Sequence, residues 1–267
     1  MGVSVLMSRW QRIAPPLIFI LGIIVLWEVG INAFHVPDII LPAPSKVIMG
    51  LATSWPLYLR HTWPTLSEII LGYGIALVLG TLCGLAIAFS RVLGDAIYPA
   101  LVGTQIMPKV AFAPLLVVWF GFGILPKLIL IALLAFFPIV INTVVALGMT
   151  TQESIHLFRS MGANPLQTFF KLRVPAALPV FFAGLKIAAT FSVVGVVVAE
   201  FYSSDKGLGY LLLLEVSNGS TTRAFGSIVY LTTLGMIVFG LVALVERLLV
   251  PRHMLKRFDD VPNRQTA

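Results

Sequence analysis

Apolar stretches long enough to cross a membrane alternate with short polar segments along the chain. Residues 69–90, 128–152 and 224–245 contain no charged side chain, and each stretch is 22 to 25 residues long. An α-helix rises 1.5 Å per residue and the hydrocarbon core of a bilayer is about 30 Å thick, so each stretch can cross it. The pattern predicts a transmembrane helix in each of the three.

Three further apolar stretches carry one internal charge each: Glu28, Lys109 or Lys186. We interpret them as transmembrane helices too. The first is too long for the apolar part of a signal peptide, so we expect it to be retained. The sequence therefore predicts an all-α membrane protein with six transmembrane helices, at about 13–34, 69–90, 97–122, 128–149, 176–200 and 224–246.

Composition and charge agree with this interpretation. Hydrophobic residues make up 58% of the chain and charged residues 11%, whereas soluble domains carry about 25% charged residues. A soluble enzyme and a disordered chain are therefore excluded. The net charge of +7 reflects a bias in the loops, because 11 of the 18 Lys and Arg residues fall in 1–12, 91–96, 150–174 and 246–267. The positive-inside rule then places both termini in the cytoplasm, and we expect the protein in the cell inner membrane.

The chain divides into three parts on this pattern. Residues 1–61 comprise a cytoplasmic tail, the first helix and an external amphipathic segment. That segment is expected to lie along the membrane surface over residues 47–59, with Ser45 as its N-cap. Residues 62–250 form the core, and 251–267 form a second cytoplasmic tail.

Small residues and prolines predict how the helices pack. Gly80 and Gly84 form a GxxxG spacing that allows another helix to approach closely. Pro108 and Pro114 interrupt the helix predicted over 97–122, and such kinks are tolerated where other groups satisfy the freed backbone.

The inner loop at 150–175 has a structure of its own. Thr150 and Glu153 have the spacing of a capping box, Gly162 allows the first helix to stop, and Asn164 with Pro165 can start a second. Each short helix has an apolar face, formed by Ile155, Phe158, Met161, Leu166, Phe169 and Phe170. These faces either lie on the bilayer surface or dock into a groove on a cytosolic protein.

Part of this loop resembles the EAA loop of ABC-importer permeases. The matching residues are Gly162, Ala163, Phe169, Leu172, Val174 and Pro175. The chain departs from the pattern at the start of the loop, where His156, Leu157 and Phe158 stand at the Glu-Ala-Ala positions.

Other motifs resemble the nitrate/sulfonate/taurine-type branch, which includes permeases for pyrimidine precursors and riboflavin. They are Trp27-Glu28, Val36-Pro37, Leu41-Pro42-Ala43-Pro44-Ser45, Pro108-Lys109-Val110-Ala111, Trp119-Phe120-Gly121-Phe122-Gly123, Gly184-Leu185-Lys186, Ala199-Glu200-Phe201 and Gly207-Leu208-Gly209-Tyr210-Leu211-Leu212.

The resemblance implies the type I ABC-importer permease fold and the import of a small solute. That solute would be an anion such as nitrate, a sulfonate or taurine, or a vitamin precursor such as a pyrimidine or flavin. Two permease chains, expected to be a homodimer, would pair with ATP-binding subunits and a soluble solute-binding protein. This sequence contains no GxxxxGK[ST] phosphate loop, so it is not expected to be an enzyme, and ATP and Mg²⁺ would be bound by the partner subunits.

Residue roles follow from the resemblance and from the intramembrane charges. The ATPase-coupling residues would be Phe158, Met161, Gly162, Ala163, Leu166, Phe169 and Pro175. Candidates for the translocation pathway are Lys109, Lys186 and Glu200, because a charge inside the membrane is costly unless it faces water or a partner. Lys109 could instead pair with Glu28 or with a carbonyl freed by Pro108, Lys186 could reach the interface, and Glu200 could be an exposed helix-end acid.

Two other classes of membrane protein compete with this interpretation. A secondary transporter driven by an ion gradient should show inverted repeats and deeply buried acids, and Glu28 and Glu200 both lie near predicted helix ends. A membrane-embedded enzyme or a metal site would need clustered reactive or ligating residues, and no such cluster is apparent in the sequence.

Overall fold

The computed structural model describes residues 2–250, with side chains from residue 14 onward except those of Arg91 and Tyr98. The predicted tail at 251–267 lies outside this range. The described residues form ten α-helices and no strand. These are α1 (Gly2–Phe34), α2 (Pro44–Phe89), α3 (Arg91–Thr104), α4 (Ala113–Phe120), α5 (Ile124–Gly148), α6 (Gln152–Ser160), α7 (Pro165–Thr168), α8 (Val174–Ser203), α9 (Leu208–Ser217) and α10 (Thr221–Leu249). A 3₁₀ turn (Lys109–Phe112) precedes α4, and a π-helical turn (Phe169–Arg173) joins α7 to α8.

Five helical segments within the described range are long and apolar enough to cross a membrane: Ala14–Phe34, α2, α5, Pro165–Ser203 and α10. A sixth span exists if α3 and Lys109–Phe120 are counted together, and these two meet at 84°. The span predicted over 97–122 is thus divided into two helical pieces, at the interruption predicted at Pro108. Pro108 provides no backbone N–H and disfavours helical geometry in the preceding residue, so α3 ends before it.

The second helix also differs from the prediction at 69–90. α2 begins at Pro44 and includes the amphipathic segment, with one non-helical residue at Ser54. Ser45 is not the N-cap. Ala43 holds that position, and the Ser45 hydroxyl instead donates to Glu28 Oε1 at 2.8 Å. The segment is thus tied to the end of α1.

The core forms around α5, which packs between α2 and α8. A Cβ added to Gly84 would lie 2.6 Å from Thr143 Cβ, and one added to Gly80 would lie 3.0 Å from Ile139. The close approach predicted from the Gly80 and Gly84 spacing is confirmed, and α5 is the helix that uses it.

The two ends of this bundle have different connections. At one end, α6 and α7 connect α5 to α8, and we call residues 151–173 the elbow. At the other end, a turn at 204–207 and α9 connect α8 to α10. Six side chains meet there, and we call them the polar lock: His61, Thr65, Glu68, Lys127, Glu200 and Ser204.

Candidate functional site

The first helix of the elbow starts one residue later than predicted. The Thr151 hydroxyl accepts from Ser154 N at 3.4 Å and caps α6. Thr150, the predicted cap, has a buried hydroxyl for which the described residues provide no partner. Glu153 does lie in the first turn, where hydrogen bonds from its own backbone N–H and from Thr151 lower the pKa of its carboxyl.

The second helix of the elbow forms as predicted. Asn164 Oδ1 accepts from Gln167 N at 2.7 Å, and Gln167 Oε1 accepts from Asn164 N at 3.0 Å. Pro165 follows at the first helical position, where its missing N–H costs nothing. Gly162 turns the chain between the helices with φ = +83°, a conformation that favours glycine. Because these caps and this turn depend only on neighbouring residues, the elbow has a defined shape of its own.

The apolar side chains of the elbow divide into an inner and an outer set. Ile155 is buried, while Phe158 is half-buried. Phe169 is half-buried as well, with its ring centroid 5.4 Å from that of Phe89. Met161 and Leu166 are 75% and 68% exposed. The inner set holds the elbow against the bundle and leaves the outer set facing away from it.

Leu157 and Phe170 also belong to the outer set, and both are more than half exposed. Phe170 was predicted on the apolar face of the second helix, but Leu157 was not predicted on that of the first. Leu157 and Met161 are four residues apart and so share a helix face, and this spacing could have identified Leu157 from the sequence. Among the other predicted coupling residues, Ala163 follows Gly162 in the turn and Pro175 lies in the first turn of α8.

Lys109 lies at the break between α3 and α4 and faces a cavity of about 390 Å³. Its Nζ is 4.5 Å from the centroid of the Phe137 ring. The cavity is lined by Gln105, Met107, Lys109, Leu134, Phe137, Pro138, Ile141, Asn142, Ile187 and Phe191. The alternative pairing with Glu28 does not form, because the Glu28 carboxylate accepts from Ser45 and Asn32 instead.

The other two pathway candidates lie elsewhere. Lys186 Nζ is 2.9 Å from Glu246 Oε2, an ion pair that joins α8 to α10. Glu200 is not an exposed helix-end acid: it is 1% exposed and accepts from the Thr65 hydroxyl at 2.7 Å and from Gly209 N. The structure therefore places only Lys109 of the three beside the cavity.

The polar lock contains an ion pair that the sequence analysis missed. The predicted spans 97–122 and 128–149 leave Lys127 between two helices, but it lies in α5 and is 3% exposed. Its Nζ donates to Glu68 of α2 and, at 3.1 Å, to Ser204 Oγ. Each of the two charges borders a charge-free stretch, and that common position was the only hint of their pairing in the sequence.

Comparisons with known proteins agree with this architecture. Residues 76–252 match the family described as binding-protein-dependent transport system inner membrane component. The formylaminopyrimidine transport permease protein of Halalkalibacterium halodurans is 35% identical over 246 residues, which cover 92% of this chain and 98% of the relative. The riboflavin transport system permease protein of Chloroflexus aurantiacus is 35% identical over 244 residues, covering 91% of each. The taurine transport system permease protein of Escherichia coli is 27% identical over 230 residues, covering 82% of each.

The family match confirms the predicted fold class and the predicted branch of permeases. The matched region includes the cavity at Lys109, the whole elbow and the Glu200 part of the polar lock. The chain therefore belongs to the binding-protein-dependent transport system inner membrane components, and it is a multi-pass permease subunit of an ABC importer.

Proposed function

We propose that ATP-binding subunits dock on the elbow from the cytoplasm and drive solute import through this chain. Both termini would then be cytoplasmic, and the protein would reside in the cell inner membrane. ATP and Mg²⁺ would be bound by the partner subunits, because this sequence has no phosphate-binding loop. A soluble binding protein would deliver the solute at the polar-lock end, and a second copy of this chain would complete the permease.

One observation carries the docking proposal: the elbow exposes apolar side chains at the end of the bundle where α5 connects to α8. Leu157, Met161, Leu166 and Phe170 are all more than half exposed, and Arg159 and Lys171 lie beside them. An apolar patch with a polar rim is typical of a protein interface. Fully burying a side chain of this kind is worth about 1.5–3 kcal/mol, so all four side chains would favour docking.

The connection between the elbow and α8 supports a mechanical role. α7, the π-helical turn and α8 form one helical segment over Pro165–Ser203. A displacement of α7 would therefore be transmitted to α8 with little loss. α8 carries Ile187 and Phe191 into the wall of the Lys109 cavity. Closure of the ATPases would change the shape of the cavity by moving α8, as in other rigid-body transitions.

The names of the relatives support two kinds of solute for this chain. Two relatives are named for a formylaminopyrimidine and for riboflavin, and a third is named for taurine. The first two are nitrogen heterocycles and the third is a small sulfonate. We infer that this chain transports a small solute of one of these kinds.

Substitution of Leu166 by glutamate tests the docking surface. Leu166 is exposed, so Leu166→Glu should leave the fold intact but place a charge in the interface, with loss of most of the bound ATPase. The matched control is Ser217→Glu, which adds the same charge at an exposed position on α9. Co-purification of the ATPase subunit with each variant measures the effect.

Vanadate-sensitive uptake in reconstituted vesicles tests the energy source. Uptake by the wild type should stop with vanadate, and uptake should fall with Leu166→Glu in proportion to the loss of bound ATPase. Equal loss of the ATPase in both variants would contradict docking at the elbow. Unchanged uptake in vesicles emptied of nucleotide would contradict ATP-driven import and would favour a secondary transporter.

A further inference from the structure

We propose that the cavity at Lys109 binds a planar nitrogen heterocycle as it crosses the membrane. This inference rests on the proposed import function and selects one of its two solute kinds. The ring would lie against phenylalanine side chains. Its hydrogen-bond acceptors would face Lys109, and its N–H groups would face Asn142.

Three elements build the cavity. The break after α3 contributes Gln105 and Lys109, α5 contributes Phe137 and Asn142, and α8 contributes Phe191. The volume of about 390 Å³ falls within the range of small-molecule sites, about 300–1,000 Å³. Two of the three polar lining residues, Gln105 and Lys109, therefore come from the break in the helix.

The lining is mostly apolar and offers two aromatic rings. Phe137 and Phe191 come from different helices, and the lining contains only three polar side chains. Flat ring faces of this kind favour stacking with another planar ring. An oxyanion such as a sulfonate needs several donors to replace its hydration. The lining contains a single cationic side chain and no hydroxyl group, so it suits an oxyanion poorly.

Lys109 supplies a donor of fixed position. Its ammonium lies over the Phe137 ring, a cation–π contact that restrains the side chain. Among the described residues, no carboxylate lies within salt-bridge distance of Lys109. Its N–H groups are therefore available to a carbonyl oxygen or a ring nitrogen of a ligand.

The side chain of Asn142 would discriminate between a heterocycle and an anion. Its Nδ2 donates to Pro138 O at 2.8 Å, and a carbonyl can only accept, so the orientation of the amide is set. The amide oxygen then remains to accept from a ligand. A Cβ at Gly184 would lie 2.4 Å from Asn142 Cβ, so α8 packs directly against this side chain and keeps it in place. Nitrate and a sulfonate group have no donor for an amide oxygen, whereas an amino or ring N–H group has one. The ammonium group of taurine could donate, but the cavity lining contains no carboxylate to neutralise it.

Uptake by the complete transporter tests the proposal. The permease, its ATPase and its binding protein are reconstituted with ATP sealed inside vesicles, and four probes are compared: formylaminopyrimidine, riboflavin, nitrate and taurine. The site variants are Asn142→Leu, Phe191→Leu and Lys109→Met. The control is Phe19→Leu, because Phe19 is an exposed residue of α1 that does not line the cavity.

The wild type should import at least one of the two heterocycles in preference to nitrate and taurine. Each site variant should slow this uptake about tenfold, the loss expected for one hydrogen bond or stacking contact, and Phe19→Leu should stay within about twofold of the wild type. The amount of co-purified ATPase should match the wild type in all variants, which separates a solute contact from an assembly defect.

Other results would overturn the assignment. These are import of nitrate or taurine in preference to both heterocycles, import of none of the four probes, or site variants that transport as fast as Phe19→Leu. Loss of assembly in all three site variants would also overturn it, since the cavity would then be structural. Uptake that continues without ATP would contradict the import function itself and is a separate result.

Discussion

The two ends of the bundle handle polar and apolar groups in opposite ways. The polar lock buries charged groups: Glu68, Lys127 and Glu200 are each 3% exposed or less. The elbow instead exposes apolar groups, with Met161 and Leu166 among the most exposed. Both arrangements reverse the usual distribution of residues in a folded chain.

The difference lies in whether each end is complete within one chain. In the polar lock, Lys127 donates to Glu68 and Ser204, and Glu200 accepts from Thr65 and from the backbone of Gly209. Among the described residues only Glu68 Oε2 of this cluster is buried without a hydrogen-bond partner. The other contacts link α2, α5, α8 and the turn before α9 to one another. The exposed apolar patch of the elbow has no such partner within the described chain. One end is thus a closed structural joint, and the other end is built to contact a second protein.

Removal of one member of the buried ion pair should have the largest effect on stability. Lys127→Met leaves the Glu68 carboxylate buried without its counter-charge, and breaking a buried pair in this way costs about 3–5 kcal/mol. The double variant Lys127→Met with Glu68→Leu should recover most of this loss, because no uncompensated charge remains. Thermal unfolding in detergent measures both, with a thiol-reactive dye reporting the exposure of Cys83, the only cysteine in the chain.

An exposed ion pair provides the matched control for Lys127. Lys46 pairs with Asp38 at 2.5 Å, but both side chains are about half exposed. Lys46→Met should therefore change the free energy of unfolding by less than about 1 kcal/mol. Similar losses for Lys46→Met and Lys127→Met would show that the polar lock is not a structural joint.

Two glycines with positive φ, Gly207 in the polar lock and Gly162 in the elbow, allow a finer comparison of the two ends. Gly207 belongs to the turn of the polar lock and has φ = +111°, and a Cβ there would lie 2.1 Å from Glu200 Oε1. Gly207→Ala adds backbone strain of about 1–3 kcal/mol and an overpacking cost of similar size. We expect the free energy of unfolding to fall by about 2–4 kcal/mol in total, because a single rearrangement of the turn would relieve part of the strain and part of the overpacking. Hydrogen exchange should rise at Leu208 and Gly209, whose N–H groups donate to Thr65 and Glu200. Unchanged exchange at these two amides would contradict the packing of Glu200 against the turn.

Sequence reasoning predicted the elbow better than the polar lock because their determinants differ in range. The capping of α7 by Asn164 and the turn at Gly162 depend on a few neighbouring residues, and both were found in the sequence. The Lys127–Glu68 pair joins residues 59 positions apart. Each side chain looked like an ordinary charge at the end of a span. Which charges meet depends on the packing of α5 against α2, and the Gly80 and Gly84 spacing predicted a close approach without naming the partner helix.

The cavity was predictable only in part. The sequence placed Lys109 in an apolar setting and showed Pro108 before it, which favoured a site or a kink at this point. The walls supplied by Asn142 and Phe191 were not predicted, because they lie on helices that meet Lys109 only after folding. The 84° bend between α3 and Lys109–Phe120 also exceeds what a single proline kink suggested.

Substitution of Gly162 should cost less stability than Gly207→Ala and should have a clear effect on coupling. Gly162 has φ = +83°, but nothing lies within 4 Å of an added Cβ, so only backbone strain opposes a side chain. Gly162→Val should lower the free energy of unfolding by about 1–2 kcal/mol, less than Gly207→Ala, because no neighbouring atom would clash with the added Cβ. Asparagine tolerates positive φ, so Gly162→Asn should lower the free energy of unfolding by less than about 1 kcal/mol and serves as the control.

If the shape of the elbow couples ATP hydrolysis to movement of α8, Gly162→Val should reduce uptake while the protein stays in the membrane. Gly162→Asn should retain most of the uptake. Normal uptake by Gly162→Val would remove the elbow from the coupling path.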